Sequence, residues 1–387
     1  MTLKRNSKLF LVLFLGTLSA FGPFVTDLYL PALPTMSSYF NSSTSTIQLT
    51  LTGSMVGLAL GQLLIGPISD KYGRKNPLII SLIVYLISTI AIILFPNVYA
   101  MIVLRFIQGV SSAGAVVISR AISTDLYHGR ELAAFFALLM AVNGLAPILS
   151  PILGSVLLEL TDWRGIFITL ALIGVILLAV SFKFNESLAI EKRLDLPITK
   201  TYYSIVHVAK NRLFFALVII QGFALAAMFA YIAASPFILQ THYSLSPLMY
   251  SLCFGLNGFA IVLGSKSAGN FKEKVSIKLG LSLMLLVSIY LAVALTLTLP
   301  FLFIEVGFFL LLLGLGFILP AGSAIAMSLE RERAGSASAF FGFVPFFLGG
   351  VVSPLVGIGN IFHSSAIAIV VCSAISFVTF KLVEKKI

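Results

Sequence analysis

The sequence predicts an all-α integral membrane protein, with twelve transmembrane helices in two pseudo-symmetric six-helix bundles. Three observations predict it. Apolar residues fill 59% of the 387 positions and charged residues 10%, against about 25% charged in soluble domains. Twelve apolar stretches are each long enough to cross a bilayer, which takes about 20 helical residues. Short blocks of sequence recur between the first and second halves of the chain. A mean hydropathy of +1.07 leaves lipid as the main solvent.

The spans run approximately over 9–31, 46–69, 77–96, 98–124, 131–158, 163–184, 212–240, 246–268, 277–298, 300–328, 334–360 and 362–383. Lys4, Arg5 and Lys8 precede the first run as in a signal peptide. The run exceeds the roughly 7–15 residues of a signal core, so it is read as a retained span. The longest polar stretch, 185–211, reads as a linker between bundles at 1–184 and 212–387. With the N-terminus in the cytoplasm, all but three of the 25 Lys and Arg residues lie on the cytoplasmic side. The exceptions are Arg105, Arg120 and Arg164. This is the positive-inside bias, and an even number of spans returns the C-terminus to the same side. Topology thus accounts for the net charge of +11 without a nucleic-acid partner. Cys253 and Cys372 sit far apart in apolar stretches and read as small hydrophobes, not as a disulfide or metal site.

The repeat pairs "APILSPILGS" at 146–155 with "LGGVVSPLVGIG" at 348–359, and more weakly 66–75 with 264–274; Gly114 matches Gly314. Six spans separate the copies, so both halves share one orientation. Such parallel repeats, related by an axis along the membrane normal, occur among transporters.

The strongest local motif is "GPISDKYGRK" at 66–75, between the second and third spans. Gly66 permits a close helix approach, Gly73 a turn with positive φ, and Asp70 a helix cap or an ion pair. Lys71, Arg74 and Lys75 hold the turn in the cytoplasm. The spacing Gly66, Asp70, Gly73, Arg74 resembles the signature loop of the major facilitator superfamily, G-x-x-x-D-x-x-G-R-K/R. Further blocks resemble its Bcr/CflA (bicyclomycin-resistance) branch of drug:proton antiporters. They are "TDLYLPALPTM" at 26–36, "LRFIQGVSSAGAVVISRAISTDLY" at 104–127, "LAPILSPILGSVLLELTDWRGIF" at 145–167 and "AGSASAFFGFVPFFLGGVVSPLVG" at 334–357. Two departures stand out. Gly154 is followed by Ser155 where the branch has a second glycine, and Glu305 matches no family position.

Ionisable groups within spans are functional candidates, because burying them in lipid is costly. Asp27 lies about 27 Å along the first span and Arg105 about 10 Å into the fourth from the outer side. The resemblance implies that both spans line a central cavity, making Asp27 and Arg105 neighbours and a proton-coupling pair. A structural ion pair or an interfacial charge is the plainer reading. Glu305 is a possible second acid, at the position of the tenth span that corresponds to Arg105. Arg120 and Asp125 join Gly66, Asp70, Gly73 and Arg74 in a cytoplasmic gate by resemblance; charges snorkelling to water would look the same. Pro147, Pro151 and Gly154 form a kinked face that resembles the antiporter motif, and ordinary kinked packing fits it as well. Tyr29, Gln108, Asn143, Tyr231 and Asn257 are polar groups within spans and candidates for a substrate cavity.

The resemblance implies a monomeric transporter of the bacterial inner membrane, working by alternating access. It would export small amphipathic compounds, as in multidrug or antibiotic efflux, against inward proton flow and without a cofactor. A dedicated exporter of a metabolite such as a siderophore or amino acid shares every motif. A channel or membrane-embedded enzyme is less well supported. The sequence has no phosphate-binding loop, no metal-ligand spacing and no cluster of catalytic His, Asp or Ser near one interface.

Overall fold

The computed structural model of the protein describes residues 7–193, 198–330 and 333–386. It is helical, with no strand among those residues. The helices are α1 (Lys8–Asp27), α2 (Leu33–Tyr39), α3 (Thr44–Tyr72), α4 (Lys75–Leu94), α5 (Val98–Leu126), α6 (Gly129–Leu160), α7 (Trp163–Lys183), α8 (Ile198–Ala209), α9 (Arg212–Pro236), α10 (Pro247–Ala268), α11 (Glu273–Thr296), α12 (Phe301–Leu329), α13 (Ala334–Leu355) and α14 (Ile361–Val383). Twelve stretches of helix are long and apolar enough to span a membrane, and they match the expected spans one for one.

Two local features differ from the sequence reading. The first span is not one helix. Pro31 and Pro34 interrupt it, so α1 ends at Asp27, a 3₁₀ turn covers Leu30–Ala32, and α2 completes the span. The stretch 185–211 is more than a linker, since it folds into a 3₁₀ turn at Ile190–Lys192 and the amphipathic α8.

Many helices begin on a polar cap. Asn97 accepts from the backbone of Tyr99 and Ala100, Asp162 from Arg164, Asn211 from Leu213 and Phe214, and Asn360 from Phe362 and His363. These caps satisfy amides that the first helical turn leaves unpaired.

The chain forms two compact units. One holds residues to Leu30 and Gly53–Thr201; the other holds Pro31–Thr52 and Tyr202–Ile387. In the first, α4 packs on α5 and α7, and α1 on α5 and α6. In the second, α11 packs on α12 and α14, and α9 on α12, α13 and α14. The same pairings therefore recur six spans later. Residues 31–52 join the second unit through backbone acceptors. Gln48 Nε2 donates to Ala233 O at 2.9 Å, Ser45 Oγ to Pro354 O at 2.9 Å, and Gln240 Nε2 to Pro31 O at 3.2 Å.

Within the first unit, α3 approaches α5 closely along Gly53, Gly57 and Gly61, which face the backbone of Ile102, Phe106 and Val110. Small residues four apart remove the side chains that would keep two helices apart in lipid. The second unit repeats the device with Gly264 against Leu313 O and Gly316 against Ile261 O.

Candidate functional site

Arg105 of α5 is fully buried. Its guanidinium donates to Gln108 Oε1, one turn along the same helix, and to Val25 O of α1 at 3.0 Å. It lies 4.2 Å from the ring centre of Tyr29 and 5.8 Å from that of Phe167. Gln108 is fixed in turn, donating from Nε2 to Thr89 Oγ1 at 2.7 Å, and Thr89 Oγ1 donates to Tyr85 O at 2.7 Å. Among the described residues the direct partners of this cation are neutral. Aromatic faces and amide oxygens offset only part of the cost of burying it. Asp27, half-buried at the end of α1, lies two residues beyond Val25 and interacts with Arg105 electrostatically. No ion pair joins the two among the described residues. The structure thus brings Arg105, Gln108 and Tyr29 together, with Asp27 near them but not bonded to the guanidinium. Phe167 and Thr89 were not singled out from sequence, because one aromatic ring or hydroxyl in an apolar run looks like any other.

The second unit builds a counterpart. Asn257 of α10 donates from Nδ2 to Glu305 Oε1 of α12 at 2.9 Å and to Tyr231 Oη of α9 at 3.0 Å. The Tyr231 ring lies 4.7 Å from that of Phe308 and 5.9 Å from that of Phe254. Cys253, one turn before Asn257, lies against Glu305. Glu305 is 5% exposed and has no cation paired with it among the described residues. Glu305 and Tyr231 occupy repeat positions close to those of Arg105 and Tyr29. Each bundle therefore places a buried charge-bearing side chain beside a tyrosine at matching repeat positions, with the sign of the charge reversed.

The third cluster is the α3–α4 turn. Arg74 is buried. Its Nε and Nη2 donate to the two oxygens of Asp125 at 2.8 and 3.2 Å, and its Nη1 to Asp70 at 2.5 Å and Ser69 at 2.9 Å. Burial opposes the Arg74 charge, but the hydrogen bonds and charges of Asp125 and Asp70 outweigh it and raise the guanidinium's pKa above its ordinary value. Gly73 has φ +88°, and a Cβ there would stand 2.5 Å from the Glu186 carboxylate. Only glycine meets both conditions without strain.

Glu186 was missed from sequence. Its Oε1 accepts from the backbone N–H groups of Arg74, Ser187 and Leu188 at 3.0, 2.9 and 3.0 Å, and its Oε2 from Lys75 N at 3.1 Å. It thereby caps α4, which has no side-chain cap of its own. A contact with Arg74, 112 residues earlier, leaves no trace in local spacing.

Other expected members fall elsewhere. Arg120 is exposed and takes no part in the Arg74 hydrogen bonds or ion pairs. Gly66 does not serve a close approach, since a Cβ there would meet only Val117, at 3.7 Å. In α6, Pro147 and Pro151 interrupt the backbone ladder, and Gly154 lies directly against Leu28 O at the end of α1. Asn143 of α6 donates to Ser19 Oγ of α1 at 2.5 Å, apart from the Arg105 cluster.

Known proteins agree with this architecture. The family model described as Major Facilitator Superfamily matches residues 9–354. The MFS-type transporter YdgK of Bacillus subtilis is 36% identical over 362 residues, covering 92% of this chain and 90% of that protein. The bicyclomycin resistance protein homolog of Haemophilus influenzae is 28% identical, covering 70% of this chain and 69% of that protein. Among solved structures, a bacterial homolog of the human lysosomal transporter Spinster, inward-facing and occupied, superposes with a TM-score of 0.76 at 15% identity, covering 98% of each chain. With a matching family model over nearly its whole length and the motifs of the bicyclomycin-resistance type, this chain belongs to the Major Facilitator Superfamily of transporters.

Proposed function

We propose that this transporter is a proton-coupled exporter of small amphipathic compounds, working by alternating access as a monomer in a bacterial inner membrane with both termini in the cytoplasm. The observation that carries the reading is the buried Arg105 beside Tyr29, Phe167 and Gln108, with the Asp27 carboxyl at the adjoining end of α1. Aromatic and amide groups around a single fixed charge suit a weakly polar, amphipathic compound better than a sugar phosphate. A carboxyl within electrostatic range of a buried cation can exchange a proton as substrate enters or water access changes sides. The relative named for bicyclomycin resistance supports an antibiotic-like cargo.

On this reading, Asp70, Arg74 and Asp125 latch the cytoplasmic side, with Glu186 seating the latch on α4. Pro147, Pro151 and Gly154 shape the α6 face against α1. Tyr29, Gln108, Asn143, Tyr231 and Asn257 are the polar groups that would meet cargo once the packing around them opens; all but Asn143 are fully buried here.

The test is transport by purified protein in proteoliposomes, with an imposed pH gradient and a panel of amphipathic antibiotics and metabolites. Uptake or efflux that follows the pH gradient, with proton counterflow, is the expected result. Saturable transport indifferent to the gradient would remove proton coupling, and movement of phosphorylated sugars alone would remove the cargo class.

A further inference from the structure

The cluster formed by α9, α10 and α12 leaves two acceptors unmet. Glu305 is 5% exposed and Asn257 0%. Asn257 commits both hydrogens of its amide nitrogen, one to Glu305 Oε1 at 2.9 Å and one to Tyr231 Oη at 3.0 Å. Glu305 Oε2 and Asn257 Oδ1 are both buried with no hydrogen-bond partner. Two such atoms on residues already joined are unusual, because buried polar groups are almost always paired.

A carboxyl and a primary amide linked by one N–H···O bond form half of a cyclic acid–amide pair. The missing half is an O–H···O bond from the carboxyl to the amide oxygen, which only the protonated acid can make. The two orphaned oxygens are the atoms that bond would join. The surroundings supply no alternative charge. Tyr231 faces Glu305 from α9, the Cys253 thiol of α10 is a weak hydrogen-bond partner of the carboxyl, and Tyr250 of α10 interacts with Tyr231. From α11, Leu291 and Tyr290 pack on Gly307, and Tyr290 Oη donates to Phe303 O. No Lys, Arg or His pairs with Glu305 among the described residues.

We propose that Glu305 is a second proton-carrying site, in the second bundle, holding the neutral acid with its proton on Oε2 and donated to Asn257 Oδ1. The ligand is a proton, which needs no cavity. One proton satisfies both orphaned atoms at once. Its departure leaves both acceptor oxygens buried without a donor in an apolar setting, which favours a turned amide. In turning, it changes its bond to Tyr231 and the contact of α10 with α9 and α12. Asn257 thus converts the protonation state of Glu305 into movement of a helix contact. Only the use of this site in transport rests on the proton-coupled reading above; the acid–amide ring belongs to the resting protein.

Infrared difference spectroscopy on the purified full chain tests the ring directly. At neutral pH the wild-type protein should show the C=O stretch of a hydrogen-bonded carboxylic acid that Glu305→Gln lacks. Asn257→Leu, with Glu305 intact, should move that band to the frequency of an acid without this partner. Glu305→Gln should keep the wild-type melting temperature, since its amide N–H can replace the acid proton in the ring, while Glu305→Ala should melt lower. An ionised-carboxylate band in place of the acid band, or a band indifferent to Asn257→Leu, would overturn the proposal. Intact bands with no proton-driven transport would sink the transport reading alone. Proton-driven transport without the acid band would sink this one.

Discussion

Asp125→Asn keeps the size of a side chain at the α3–α4 turn and removes its charge. The Arg74 and Asp125 side chains are 6% and 12% exposed, whereas Asp70 is 49% exposed. Two charge-assisted bonds run from Arg74 to Asp125 and one to Asp70. An asparagine offers one acceptor oxygen and turns an N–H₂ toward a group that only donates. Charge-assisted bonds contribute about 1.5–3 kcal/mol and neutral ones about 0.5–1.5 kcal/mol. The guanidinium stays charged, so the asparagine keeps one charge-assisted bond and forfeits the other, a cost of about 1.5–3 kcal/mol before the lost ion-pair attraction is added. Ser187 Oγ, which donates to Asp125 Oδ2 at 2.9 Å, loses a charged acceptor as well. Asp70→Asn touches a half-exposed pair and should cost about 0–1 kcal/mol. Thermal unfolding of the purified protein in detergent, followed by a thiol-reactive dye reaching buried Cys253 and Cys372, measures both. Asp125→Asn should lower the melting temperature severalfold more than Asp70→Asn. Equal shifts, or a larger one for Asp70→Asn, would refute the ranking by burial.

Glu186→Ala removes the acceptor for four backbone amides and should cost about 1–2 kcal/mol by the same melting assay, with Glu186→Gln recovering part of it. Gly57→Val drives a side chain into the α5 backbone at Phe106 and should destabilise the protein by about 1–3 kcal/mol or more, while Gly144→Ala, into open space, should be neutral. Arg105→Lys gives up a planar group over Tyr29 within the folded protein, a contact worth about 2 kcal/mol when desolvated, so the melting temperature should fall clearly below that of the wild type in the same thermal assay. Asp27→Asn should abolish pH-driven export while leaving counterflow exchange intact. Full pH-driven export in that variant, with its loss in Glu305→Gln, would place the coupling proton in the second bundle alone.

The number of spans and their repeat were legible in the sequence because lipid imposes a length and a polarity on every crossing segment. The turn chemistry at 66–75 was legible too, since the Gly–Asp–Gly–Arg spacing marks a tight turn at Gly73 with Asp70 and Arg74 on either side of it, close enough to pair. The glycine face at Gly53, Gly57 and Gly61 was there to be read at a spacing of four, but only the structure showed which helix it admits. Apolar composition told nothing of which helix faces point inward, because lipid-facing and core-facing residues are equally hydrophobic. Tertiary structure alone therefore decided that Arg120 stands outside the Arg74 network, that Glu186 enters it, and that Arg105 rests on a carbonyl and aromatic rings instead of on Asp27. It also gathered Tyr231, Asn257 and Glu305 from three helices. Such contacts join positions far apart in the chain, and no local pattern encodes a distance that only packing creates.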